Sequence, residues 1–111
     1  MNAARRRAIR FLGTSLDDLR AFPPAARQRA GYQLQAGRDP DDWKPMQGIG
    51  PGVREIRIRD TDGAFRVVYV AKLAEAIVVL HCFRKTTGRT AQHDLDLAAQ
   101  RYRALLKEHR T

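Results

Sequence analysis

Residues 53–70, VREIRIRDTDGAFRVVYV, place two alternating runs on either side of DTDG, and no other part of the chain constrains the fold so tightly. Alternation sustained over such runs has the period of a β-strand, and a short Asp/Gly turn between them marks an antiparallel hairpin. Successive side chains point to opposite faces of a strand. Ile56 and Ile58 therefore share one face of the first strand, while Glu55, Arg57 and Arg59 share the other. The second strand divides into Phe65, Val67, Tyr69 and Ala71 against Arg66, Val68, Val70 and Lys72. With a two- or four-residue loop at DTDG, paired residue numbers have an odd sum, and the isoleucines fall on the face of Phe65 and Val67. Arg57, Arg59 and Arg66 are thereby gathered on the opposite face. Like charges opposite one another on a sheet are destabilising, so a face needing only solubility would mix its signs. An anion among these arginines accounts for them better.

Composition points the same way. Twenty-one Lys and Arg against twelve Asp and Glu leave a formal charge of +9, which favours a polyanion or an acidic partner. The 111 residues suit one domain with its own core. No stretch approaches the roughly 18 apolar residues of a spanning helix, and MNAARRRAIRFLG lacks the apolar run of a secretory signal, so a cytoplasmic protein without membrane attachment is expected. The single cysteine, Cys82, excludes an internal disulfide framework and reads as a small buried apolar residue.

The remaining elements follow from local signals. Ala8 to Leu12 suits an edge strand. Thr14 or Ser15 can cap a short helix at LDDL, with Asp18 three residues beyond Ser15. A second helix is expected from Pro24 to Gln35, with Ala26, Ala30 and Leu34 on its packing face and Gly37 as its stop. GRDPDDWKPMQGIGPG, residues 37–52, holds four of the eight glycines and three of the five prolines and reads as a loop. Strands are expected at Val53 to Asp60, Ala64 to Leu73 and Ala76 to Arg84. A last helix follows Thr90, with Leu95, Ala98, Ala99, Tyr102, Leu105 and Leu106 on one stripe.

The parity rule, carried across LAEA, sets His81 and Phe83 on the arginine face beside Val68 and Arg66, provided that this turn also has an even residue count. The face then collects Arg57, Arg59, Arg66 and His81, with Arg84 and Lys85 at the rim and Lys44 delivered by the preceding loop. This is a constellation for a phosphodiester. Without clustered carboxylates to hold magnesium, RNA cleavage here would use the substrate's own 2′-hydroxyl, with cations stabilising the pentavalent phosphate. Plainer readings stand beside this one. Arginines on a sheet face can be mere solvated surface, His81 a structural histidine and Lys44 a solvated loop charge. Trp43 and Met46 read as loop anchors, Tyr69 as packing, and His93 as exposed.

The words DDWKPM, GPGVREIRIRD, GAFRVVYVAK and HCFRK followed by TAQHDLDLA resemble the HigB-like, phage-derived branch of the RelE/ParE toxin superfamily, over about residues 8–108. The resemblance implies an α+β fold in which helices cover one face of a small antiparallel sheet and leave a basic groove on the other. It implies a toxin made with a cognate helix-turn-helix antitoxin, and a metal-independent, cofactor-free endoribonuclease that cuts mRNA in the ribosomal A site. By position, Arg66 matches the arginine that contacts the scissile phosphate, Arg57 a basic position on the preceding strand, and Lys85 the basic rim. Catalysis is thus expected from Arg57, Arg66, His81 and Lys85, with RNA contacts from Lys44, Arg59 and Arg84. Three departures stand out: Glu55 occupies a position that is basic in RelE-type enzymes, Thr86 stands where many HigB-like proteins continue with lysine, and no tyrosine opens the last helix, which leaves His81 or His93 as base, or none. ParE-type gyrase inhibition and non-catalytic nucleic-acid binding are the competing functions.

Overall fold

A computed structural model describes residues 8–35, 42–71, 76–86 and 90–110, with side chains to residue 108. In chain order the elements are β1 (Ala8–Phe11), α1 (Ser15–Arg20), α2 (Pro24–Gln35), β2 (Trp43–Pro45), β3 (Val53–Asp60), β4 (Gly63–Val70), β5 (Ala76–Lys85) and α3 (Gln92–Arg110). The strands form one sheet in the order β1-β5-β4-β3-β2, antiparallel except for the parallel β1–β5 pair. The α+β class read from the sequence is the class observed. Gly37 as the stop of α2, Lys72 and Leu73 at the end of the second central strand, and the turn before Ala76 lie outside the described residues.

The hairpin forms as alternation requires. Asp60 pairs with Gly63 and Ile56 with Val67, so the loop has two residues and every pair has an odd sum. Gly63 takes φ 137°, a conformation that only glycine adopts without strain. On the apolar face, Ile56, Ile58, Phe65, Val67 and Tyr69 form a core with Leu19 and Phe22 and with Ala26, Ala30 and Leu34 of α2. The spacing read for α2 is its packing face.

Three local expectations are corrected. The segment 37–52 contains a strand, β2, whose Trp43 pairs with Ile56 and Pro45 with Arg54, because edge pairing needs little local propensity. Ser15 does not cap α1: it is fully buried, and its hydroxyl donates to the Val79 carbonyl at 3.3 Å. The helices also do not keep to one face. Ala98, Tyr102 and Leu105 of α3 pack on Val53, Val68, Val70, Val78 and Leu80, on the sheet face opposite α1 and α2. This is the arginine face, and α3 covers the end of it where β3, β4 and β5 present apolar side chains.

Candidate functional site

From the edge of α3 outward, the register lays the polar residues out in rows across the sheet. Lys44, Glu55, Val68 and His81 form one row, Arg57, Arg66 and Phe83 the next, and Arg59, Ala64 and Lys85 the third. Directly opposed residues share a face. Lys44, Arg57, Arg59, Arg66 and Lys85 are therefore brought to one surface, with Arg57 directly opposite Arg66.

Glu55 explains how that pairing is tolerated. Its carboxylate is 1% exposed, and its Oε1 lies 3.8 Å from Arg66 Nε and 3.9 Å from Arg57 Nε. The Thr90 hydroxyl reaches its other oxygen at 3.5 Å. One buried anion thus sits between two facing guanidinium groups and offsets their repulsion. Alternation places Glu55 on the arginine face and the family pattern marks it as a departure; its role as the counter-ion shared by Arg57 and Arg66 follows only from its burial and its distances to both. Both Nε atoms are buried and make no hydrogen bond, so neither donor is satisfied by the protein. Arg66 is itself only 5% exposed and gives Nη1 to the Phe65 carbonyl at 3.1 Å. Desolvation lowers its pKa from the ordinary arginine value; Glu55 opposes this, and Arg57 and Arg59 lower it further. Lys85 is lowered too, by desolvation first and then by Arg66, with Lys44 and Arg57 adding to the effect. A surface that depresses the charge of its own cations favours an added anion.

Three expected residues stand differently. His81 is buried, with Nε2 2.7 Å from Asp94 Oδ1 of α3 and its ring stacked on Phe83 at 5.0 Å. It ties β5 to α3 rather than facing the cations, because α3 closes over that row. Arg84 is not brought to the group. It lies opposite Phe65 on the other face, with its guanidinium over the Phe65 ring and a hydrogen bond to the Asp62 carbonyl. His93 is exposed and lines a hollow with Phe22, Phe65 and Arg84, on the far side of β5 from the arginines.

Of the other residues singled out, Cys82 is buried and its thiol is pushed up to about 12 by desolvation. Met46 packs beside the α3 core. Trp43 instead lies under the Arg54 guanidinium, 4.0 Å from its ring centre. Among the described residues no group of three or more His, Cys, Asp or Glu could hold a metal ion, and no helix is long and apolar enough to cross a membrane.

Residues 17–103 match the family model described as "Phage derived protein Gp49-like (DUF891)". Among solved structures, an arginine double mutant of the E. coli toxin RelE in the free state superposes with a TM-score of 0.62, at 16% identity over 87% of this chain and 98% of that one. The toxin-antitoxin complex RelBE2 from Mycobacterium tuberculosis matches with a TM-score of 0.54, at 19% identity over 78% of this chain and 100% of the other. At these identities the likeness is one of fold. No curated protein matches by sequence.

Proposed function

Because the chain belongs to the phage-derived Gp49-like family and has the fold of the RelE toxin, we propose that it is the toxin of a type II toxin-antitoxin module, of the HigB-like branch, and cuts mRNA on the ribosome. The observation that carries this reading is Arg57 facing Arg66 across β3 and β4, with Arg59 and Lys85 in the adjoining row. Two guanidinium groups side by side fit the non-bridging oxygens of a phosphodiester in transit to its pentavalent state. The 2′-oxygen bonds to phosphorus as its hydroxyl proton passes to solvent water. The bond to the 5′-oxygen breaks, and that oxygen takes a proton from Lys85, whose ammonium is made more acidic by desolvation and by Arg66. The products are a 2′,3′-cyclic phosphate and a 5′-hydroxyl.

The partner proposed is a cognate helix-turn-helix antitoxin; a solved structure of this fold is a toxin-antitoxin complex. The test is purified ribosomes programmed with labelled mRNA. Cleavage that needs the ribosome is expected, with binding to short RNA weakening by about 0.7 log units per log unit of salt for each phosphate neutralised and unchanged by EDTA. Inhibition of gyrase supercoiling without RNA cleavage would assign the chain to the ParE-type function instead.

A further inference from the structure

Beside the arginines lies a groove that the chemistry above does not use. It has a volume of about 360 Å³ and runs between the β2–β3 connection and the first turns of α3. Met46, Ile49, Leu95 and Ala99 make its walls apolar, while Lys44, Gln92 and Asp96 bring polar atoms to it. Lys44 also belongs to the first row of the cationic face, opposite Glu55. Thr90, two residues before Gln92, reaches Glu55 itself. Lys44 is therefore the residue that the groove and the cationic face share.

We infer that this groove takes one nucleobase of the RNA strand whose phosphate lies on Arg57 and Arg66, and that it prefers a base carrying an exocyclic amino group. The inference rests on the proposed RNA-cleaving function and names a subsite for it. Apolar walls of this size suit a flat heterocycle, and single-stranded RNA is read by bases splayed out of the stack into such pockets. A lysine at the junction suits the charge of the connecting backbone. The polar end sets the preference: Gln92 Nε2 donates to Asp96 Oδ1 at 2.7 Å, which fixes the carboxylate as an acceptor at the groove. Adenine, cytosine and guanine each offer an exocyclic amino group to such an acceptor, whereas uracil offers only its N3–H, flanked on both sides by carbonyl oxygens that the carboxylate repels.

The test varies the base on each side of the cleaved bond in ribosome-bound mRNA, and in short RNAs bound to the purified protein. Asp96→Asn, exposed on α3, and Ala99→Leu, which fills the groove, are measured beside the wild type. The wild type is expected to favour amino-bearing bases over uracil by roughly tenfold at one position. Asp96→Asn should flatten that preference, because an amide can also donate to uracil, and Ala99→Leu should abolish it. Cleavage with the same preference in all three proteins overturns the subsite and leaves the nuclease standing. No cleavage, but selective RNA binding that Ala99→Leu removes, overturns the nuclease and keeps the groove as a base site. Neither cleavage nor selective binding overturns both. If Ala99→Leu instead only loses its co-expressed protein partner, the groove is a protein-docking surface and the inference fails.

Discussion

Replacing Arg66 is the most informative perturbation, because its cost differs between what alternation implies and what the structure contains. On alternation alone Arg66 faces away from the core, and truncation there would cost under about 1 kcal/mol. The structure makes it more expensive. Arg66 is 5% exposed and stands beside a carboxylate that is 1% exposed. Removing one partner of a buried ion pair typically costs about 3–5 kcal/mol, since the other charge is left uncompensated. Here the figure is lower. The 3.8 Å contact is not a hydrogen bond, the desolvation of Arg66 is itself relieved, and Arg57 still stands 3.9 Å from Glu55. Arg66→Ala should therefore destabilise by about 1–3 kcal/mol, read as a shift in the urea midpoint. Arg66→Met combined with Glu55→Gln removes both charges and keeps the volume, so it should return to within about 1 kcal/mol of wild type. In the ribosome assay both variants should lose about 10²- to 10³-fold in rate, and Arg66→Lys should recover only part, because lysine lacks the planar fork. An Arg66→Ala protein as stable as wild type would refute the ion-pair reading. A folded double variant that still cuts at full rate would refute the site.

The clasp at the other end of the row is separable from the chemistry. His81→Gln and Asp94→Asn should each lower stability and couple by about 0.5–3 kcal/mol in a double-mutant cycle, yet cleave near wild-type rate; a folded His81→Gln that loses about 10²-fold or more would return His81 to the catalytic group. Gly50→Ala should lower the melting temperature, because a Cβ there would lie 2.1 Å from Tyr102 Cε2, whereas Gly48→Ala, with open space around it, should not. Cys82 should resist thiol reagents in the native protein at pH 8 and react on unfolding. Burial pushes its folded pKa up to about 12, above the ordinary thiol value of 9.0, so its contribution is complete below pH 9 and is lost as pH rises towards 12. Cys82→Ala should remove that part of the alkaline destabilisation.

The central hairpin was legible because Ile56 and Ile58 alternate with Glu55, Arg57 and Arg59, and Phe65 and Val67 flank Arg66, which fixes the faces and, through a two-residue turn, the register. The α2 packing face was legible for the same kind of reason. β2 was not, since its three residues gain their strand conformation from β3 rather than from their own propensities. The depth of the cationic site was also hidden. Alternation says which face a side chain takes but not what lies over it: His81 meets Asp94 of α3, and Glu55 meets Thr90 just before that helix. Arg84 shows the limit from the other side: adjacency to Lys85 in sequence means the opposite face in a strand.

The placement of His81 and Phe83 on the arginine face came out as parity required, yet the condition attached to it fails. Val70 pairs with Val78 and Tyr69 with Val79, sums that are even, whereas Val68 pairs with His81 and Arg66 with Phe83, sums that are odd. A β-bulge at Leu80 makes the change, so Leu80 and His81 both answer to Val68. Leu80 is fully buried under α3, which gives the bulge an apolar anchor. Arg101 of α3 donates Nη1 to the Leu80 carbonyl at 2.8 Å, and its Nη2 reaches the Thr14 hydroxyl. Without the extra residue, His81 and Lys85 would turn towards the α1–α2 core, where an imidazole and an ammonium would be buried among apolar side chains. The helix that covers one end of the arginine face thus also stabilises the irregularity that delivers Lys85 to the other.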